Sequence, residues 1–385
     1  MKTIRDIEYV EGVKVLVRAD FNVPIVNGAV GDDFRIRAAL PTIDFLRKKG
    51  AVVILMSHLE SLDGSNPSLA PVAKHLEKLG QPVIFIKDLK NAHEIIEAEI
   101  RKQELGAQSG LIFLLENLRF FEGEKKNDKK FAQELASLAD IYVNEAFPAS
   151  HREHASIVGV PQFLPSYVGL QFEKEVTHLS RAFTPAHPFL FILGGAKFDT
   201  KLPLIERFSK VADTIFLGGA LGNDALKAKG YNVGDSKVSD GAIDISAIVN
   251  QPNVLVPTDS IIQDHSVKNI DALGAHDQIF DPGPKTLEII QEKINQVQFI
   301  LWNGPLGPYE DGFIEGTESV ARMIAERTQS SKGVESIVGG GDTLAAISNL
   351  GIEDKFTFVS SGGGAMLEFL ANGTLPGIEA LNASN

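Results

Sequence analysis

Cysteine is absent from all 385 residues. That excludes disulfides, thiolate metal sites and a cysteine nucleophile, and leaves only His, Asp and Glu as metal ligands. Long apolar runs are also missing: none approaches the roughly 18 residues that a membrane-spanning helix needs. The stretch MKTIRDIEYVEG carries no apolar core of a secretory signal, so a cytoplasmic location is expected. Two nucleotide signatures are lacking. DPGPKT (281–286) has no first glycine for a GxxxxGK[ST] loop, and no GxGxxG occurs, which weighs against P-loop enzymes and dinucleotide dehydrogenases. Positive charge is scarce, with 37 Lys and Arg against 50 Asp and Glu and a net charge of −13. A polyanion would be repelled on average, and a small anionic substrate would need a basic site built locally.

What is present is one pattern used many times. Short apolar runs occur at KVLVRAD (14–20), AVVILMS (51–57), PVIFIKD (82–88), GLIFLLEN (110–117) and IYVNEAF (141–147). After a gap come PFLFILGG (188–195), DTIFLGG (213–219), NVLVPTD (253–259), FILWNGP (299–305), ESIVGGGD (335–342) and FTFVSSGGG (356–364). Such runs predict strands buried on both faces, hence parallel sheet. Amphipathic stretches lie between them: DDFRIRAALPTIDFLRKKG predicts a helix that Gly50 stops, and DTLAAISNLG predicts one capped by Asp342 and ended by Gly351. The alternation predicts doubly wound α/β architecture. The rhythm breaks around 160–187, where prolines flank a plausible helix, so two domains of similar size joined by that helix are expected. The tail LPGIEALNASN is too short to fold alone and should dock on one of them.

Ligands of open parallel sheets bind beyond the carboxyl ends of the strands. Nearly every run here ends in a polar or glycine cluster. In the first half these are RADFNVP, SHLES, ENLRF and NEAFPASHREH; in the second, GGAKFDTK, GGALGND, WNGPLG, VGGGDT and SSGGGA. Any one of them could be an ordinary strand-to-helix turn. Asp20 and Asn22 could cap a turn, Arg35 could be a solvated helix charge, and Arg119 and Arg152 could pair with surface acids. Together they form two kinds of site. The first half offers Arg, His and Asn for a small anion. The second offers Gly and Lys for a polyphosphate, with GGGDTLAAI and SGGGAMLEF running from glycine straight into helix and so presenting bare amides. Asp342 either caps its helix or holds a Mg²⁺ that bridges phosphates, and for a bare GGGD the cap is favoured.

With VLVRADFNVP, LLENLRF, LGGAK, WNGPLG, GGGDT and SSGGGAMLEFL in this order, the chain resembles the phosphoglycerate kinase family from about residue 13 to LPGIEAL. The resemblance implies two Rossmann-like domains facing a cleft across a hinge helix, residues 1–168 with 371–385 and residues 169–370. It implies Mg²⁺-dependent phosphoryl transfer between 1,3-bisphosphoglycerate and ADP, giving 3-phosphoglycerate and ATP, by a monomer. By position, Asp20 and Asn22 would meet the glycerate end, Arg35 the transferring phosphoryl group, and His58, Arg119 and Arg152 the substrate's own phosphate. Lys197 and Lys201 would meet nucleotide phosphates, Gly218 and Gly219 the adenine, and Asn303 and Glu310 the ribose. Asp342 would serve the metal and Thr343 the phosphates. Gly340 and Gly341, with Gly362 to Gly364, would present backbone amides to the nucleotide and the transferred group, Gly341 and Gly364 joining Arg35 and Lys197 as catalytic positions.

The chemistry suits such residues, because phosphoryl transfer needs positioning and charge neutralisation more than covalent catalysis. The acceptor would be a carboxylate with a pKa near roughly 4, already ionised, so no general base is required. Departures from the family fall mainly on the substrate side. Its SHLGRP reads SHLESL here, with Glu60 for glycine and Ser61 for an arginine; Pro148 replaces a glycine and Phe121 a histidine. On the nucleotide side, Ala220 replaces a glycine. A paralogous kinase acting on another small carboxylate, or a nucleotide-binding protein without turnover, are the alternatives these departures raise.

Overall fold

The apolar runs become strands because β-branched and aromatic side chains fill both faces of each. In the computed structural model, which describes residues 1–61, 63–104, 110–196, 198–239 and 245–384 without the side chains of 103, 104, 199 and 200, they assemble two six-stranded sheets. Every pairing within these two sheets is parallel.

The first sheet runs, edge to edge, Ile84–Ile86, Ile112–Leu115, Val52–Met56, Lys14–Arg18, Ile141–Asn144 and Ser166–Val168. The strand order reverses around Lys14–Arg18, so the crevice for a ligand opens beside the carboxyl end of that strand. The second runs Val254–Leu255, Thr214–Leu217, Phe189–Leu193, Phe299–Asn303, Glu335–Gly339 and Phe358–Ser360. Numbered by sequence this is 3-2-1-4-5-6, the dinucleotide-fold order, with its reversal between Phe189–Leu193 and Phe299–Asn303.

Two features differ from the sequence expectation. NVLVPTD is not one strand: Pro257 interrupts it by removing a backbone donor, and at Asp259 the chain begins a three-stranded antiparallel sheet of Val267–Asn269, Asp259–Ile262 and Ile279–Pro282. The stretch read as connector also supplies the edge strand Ser166–Val168 before the helix Leu170–Ser180. Helix signals held better. The helix Phe34–Lys48 stops at Gly50, whose φ is +81°. The helix Gly341–Leu350 ends on Gly351 at φ +63°, but its N-cap is Gly340 and no side chain caps it, so the capping role expected of Asp342 is not found.

The chain divides into two compact units, Met1–Thr177 with Thr374–Asn385, and His178–Gly373. In the first, Val15, Val17, Val53, Leu55 and Leu114 pack against Ile36, Ile43 and Leu46 of the helix behind them. Each such side chain contributes about 1.5–3 kcal/mol on burial. The tail helix Pro376–Ala383 docks on this unit, where Gly377 N–H donates to Ser150 O at 2.9 Å. In the second, Trp302 is fully buried and its indole N–H donates to Gly304 O at 2.9 Å, which fixes the turn leaving the strand.

Candidate active site

At the carboxyl ends of the first sheet, side chains from four strand exits converge. Arg18, the last residue of its strand, is fully buried. Its Nε donates to Ser156 Oγ at 2.8 Å, and Nη2 lies 3.1 Å from His58 Nδ1. The other ring nitrogen of His58 lies 3.2 Å from Arg152 Nη1. A neutral imidazole has one lone-pair nitrogen, so it can accept from only one of these guanidinium groups. Burial, followed by Arg18, Arg119, Arg152 and Arg35, pushes the His58 pKa well below its ordinary value, so the ring is neutral near pH 7. His154 has the same fate: burial and then Arg119 and Arg152 bring it down to about 3, and its Nδ1 lies 3.2 Å from Arg119 Nη1.

Carboxylates answer part of this positive charge. Glu124, buried, accepts from Ser156 Oγ at 2.6 Å and Ser156 N at 2.9 Å, so it meets Arg18 through one serine. Asp20 Oδ2 pairs with Arg35 Nη1 at 3.1 Å, while Oδ1 accepts from Asn22 N at 3.2 Å. Arg35 also donates to Asn22 O at 3.1 Å, so it is not the solvated helix charge that was its bland alternative. Asn117 ties the exits together: its amide donates to Leu59 O and Pro67 O, and its carbonyl accepts from Leu59 N and Arg119 N.

Glu60 links Asn22 to Arg119, and Glu124 links His154 to Ser156 and Arg18, so Asp20, Asn22, Arg35, His58, Arg119 and Arg152 lie in one network of contacts. The sequence reading missed Arg18, Glu124, His154 and Ser156. An arginine inside the apolar run KVLVRAD is the signal that could have found Arg18, because an unpaired charge does not stay at such a position. Two departures are explained locally. Phe121 stacks on Phe131 with ring centroids 5.3 Å apart, so it packs the start of the short helix Glu122–Lys125 against the next helix, Lys129–Ala136. Pro148 stands in the short 3-10 turn Phe147–Ala149, where a proline's fixed φ is tolerated.

The second unit builds its site from backbone. Gly194 and Gly195 meet the Gly304–Pro305 turn across the strand reversal, with Gly194 N donating to Asn303 O at 2.9 Å and Gly195 N to Pro305 O at 2.7 Å. A Cβ on Gly194 would lie 2.2 Å from Pro305 O, so only glycine allows this approach. A cavity of about 580 Å³ opens above, within the usual range for small-molecule sites. Gly219, Glu310 and Asp342 line it, together with Asn223, Lys237 and Phe280, which the sequence reading did not single out.

Gly218, Lys201, Asn303, Gly340, Gly341, Thr343 and Gly364 are not among its lining residues. Asn303 is buried at the strand end with its amide 3.8 Å from Met366 Sδ. Lys201 is buried beside the turn and donates to Gly194 O at 2.5 Å. Burial lowers its pKa to about 8, against the pull of Asp342. The helices Gly219–Ala228, Gly341–Leu350 and Gly364–Asn372 all begin without a side-chain cap; Leu221 N donates to Gly195 O and Ala365 N to Gly362 O, and the other first-turn amides can meet an anion. Thr343 Oγ1 is buried with no hydrogen-bond partner. Lys197 lies outside the described residues.

The arrangement offers a cation-walled anion site in one unit and an amide-lined phosphate site in the other. Comparison with known proteins shows which family the chain resembles. The family model described as phosphoglycerate kinase matches residues 4–373. The phosphoglycerate kinase of Dictyoglomus turgidum is 44% identical over 400 residues, covering 99% of this chain and 98% of that protein. That of Thermosipho africanus is 43% identical, covering 98% and 97%. Among solved structures, the phosphoglycerate kinase of Coxiella burnetii superposes with a TM-score of 0.83 at 34% identity, covering 99% of this chain and 98% of that one. The enzyme of Pyrococcus horikoshii gives 0.84 at 30% identity, covering 100% and 99%.

Proposed function

From the premise that the chain belongs to the phosphoglycerate kinase family, we propose how its residues divide the work. The activity is reversible phosphoryl transfer between 1,3-bisphosphoglycerate and ADP, giving 3-phosphoglycerate and ATP. The observation that carries the assignment is the arginine network at the first sheet's reversal, which has the charge to hold a small phosphorylated acid. Arg119, Arg152 and neutral His58 take the substrate's phosphate, Asp20 and Asn22 orient its glycerate end, and Arg35 meets the phosphoryl group in transit. Neutral His58 serves as a hydrogen-bond partner rather than a third charge, which keeps the cluster foldable.

The second unit takes the nucleotide. Lys201 and the open amides of Gly341 and Gly364 bind phosphate oxygens, Thr343 Oγ1 finds there the partner it lacks, and Gly219 and Glu310 line the nucleoside pocket. Lys197, Gly218, Gly340 and Asn303 keep the roles that the family resemblance implies. Asp342 is the residue proposed to hold Mg²⁺. Its exposed carboxylate lines the cavity and caps nothing, and a hard cation bound with phosphates needs only one or two such oxygens. When bound, the ion neutralises charge on the phosphate chain. No group of three or more His, Asp or Glu suited to a metal occurs among the described residues, which fits a metal that arrives with its nucleotide.

Direct transfer requires the two bound substrates to meet, and we place the hinge at Leu170–Ser180. Every role falls on one chain, so a monomer suffices; sedimentation with substrates would test this. No helix among the described residues is long and apolar enough to cross a membrane, and a cytoplasmic location is proposed from the substrates. The decisive assay couples ATP consumption to 3-phosphoglycerate and Mg²⁺, beside a panel of other small carboxylic acids. Preference for 3-phosphoglycerate is expected. Turnover of another acid in its place would overturn the substrate assignment.

A further inference from the structure

Glu60 occupies a position in the anion site that the proposed function leaves unexplained. Its Oε2 lies 4.0 Å from Arg119 Nε, the side chains being 35% and 2% exposed. That Nε has no hydrogen-bond partner, so the donor is aimed at a carboxylate it does not fully engage. The loop behind Glu60 is held on both sides. Glu60 N donates to Asn22 Oδ1 at 3.0 Å, and Asn117 brackets Leu59 through its N–H and its carbonyl. The carboxylate can therefore leave Arg119 by a rotamer change alone.

Charge accounting shows what this does. Glu124 answers Arg18 through Ser156, and Asp20 answers Arg35 directly. Arg119 and Arg152 remain without a direct carboxylate hydrogen bond: neutral His58 and His154 lie against them, and the buried Glu124 attracts Arg119 past His154. A phosphate group carrying about −1.5 to −2 charges would match these two arginines. It would do so only if Glu60 withdraws.

We propose that Glu60 is a built-in competitor for the substrate's phosphate, exchanging with it at Arg119, and so sets substrate affinity and release rather than chemistry. This rests on the phosphate assignment of Arg119 above. The residue is affinity-determining: it touches the binding cation and takes no part in transfer. A site with full positive charge and no internal counter-ion would hold its anions tightly and let them go slowly.

The test is Glu60→Gln, which keeps shape and backbone contacts while removing the charge. Calorimetric titration with 3-phosphoglycerate, and separately with inorganic phosphate, should show binding tighter by about two- to fivefold, the range for releasing a partly exposed ion pair. The KM for 3-phosphoglycerate should fall in parallel, with the KM for ATP unchanged. In an Arg119→Gln background the same change should give no gain, whereas in an Arg152→Gln background the gain should persist. Unchanged or weaker binding by Glu60→Gln overturns the proposal, as does an undiminished gain without Arg119. If Arg119→Gln does not fold, Glu60→Asp decides: drawing the carboxylate back by one methylene should give part of the gain, and weaker binding overturns the idea. Should the wild type fail to turn over 3-phosphoglycerate, the substrate reading falls, and inorganic phosphate binding still decides the role of Glu60.

Discussion

The two sheets end in opposite solutions to the same problem, which is to hold phosphate in an acidic protein. The first gathers long cationic side chains and must then keep them apart. It does so with two neutral histidines and three carboxylates, one of them reached through Ser156. The second relies on few cationic side chains among the described residues, Lys201 and Lys237. Glycines let the backbone turns of Gly194 and Gly304 approach closely, helices start uncapped, and one buried lysine stands behind them. Charge gathered by side chains is tunable by single substitutions, as Glu60 illustrates. Geometry made by backbone is not, because every change to it moves the chain.

The comparison predicts different kinds of failure. The largest effect should come from Arg18→Met. It leaves Glu124 buried without its cation, and breaking such a pair costs about 3–5 kcal/mol. Urea unfolding should show the loss in the first unit while nucleotide binding in the second persists. Next is Arg119→Ala, which removes a charge-assisted contact worth about 1.5–3 kcal/mol, a ten- to a hundredfold loss. The KM for 3-phosphoglycerate should rise by that factor with the KM for ATP unchanged; an equal rise in both would mean the two sites are not separable in this way.

The backbone site should break through shape instead. Gly194→Ala places a methyl 2.2 Å from Pro305 O and 2.6 Å from Gly304 O. Forcing those turns apart should cost about 1–3 kcal/mol of stability and weaken ADP binding, measured by calorimetry, while affinity for 3-phosphoglycerate stays within about twofold.

How much of this was legible follows the same division. Parallel strands were readable because each is a short run apolar on both faces, and glycine clusters were readable because they punctuate those runs. The 3-2-1-4-5-6 order of the second sheet was not, since neighbours are chosen by packing between segments that look alike. Nor was the antiparallel sheet whose Gln278–Phe280 segment walls the second unit's cavity, because its strands are short and one of them, Val267–Asn269, is largely exposed. Glu124 within EGEKKND reads as one more solvated charge; only the fold buries it under Ser156. Asn303 has its ribose role from the family resemblance alone; its side chain is buried at the strand end, with its amide 3.8 Å from Met366 Sδ.

The smallest effect is the most discriminating, because it moves stability and binding in opposite directions. Lys201 has its pKa lowered by burial to about 8, against about 10.4 in an unfolded chain. Between those values the unfolded chain binds more protons than the folded one, so stability must rise with pH across that window. Phosphate binding needs the ammonium form, so nucleotide affinity must fall across the same window. From pH 7 to pH 9, ADP affinity should decline by about three- to tenfold more in the wild type than in Lys201→Met, while the unfolding midpoint of the free protein rises relative to that variant. The first unit offers no parallel: arginines stay charged throughout, and His58 and His154 are neutral at both ends of the range. Affinity for 3-phosphoglycerate should therefore be flat over the same pH interval, and a matching decline there would remove Lys201 as the cause.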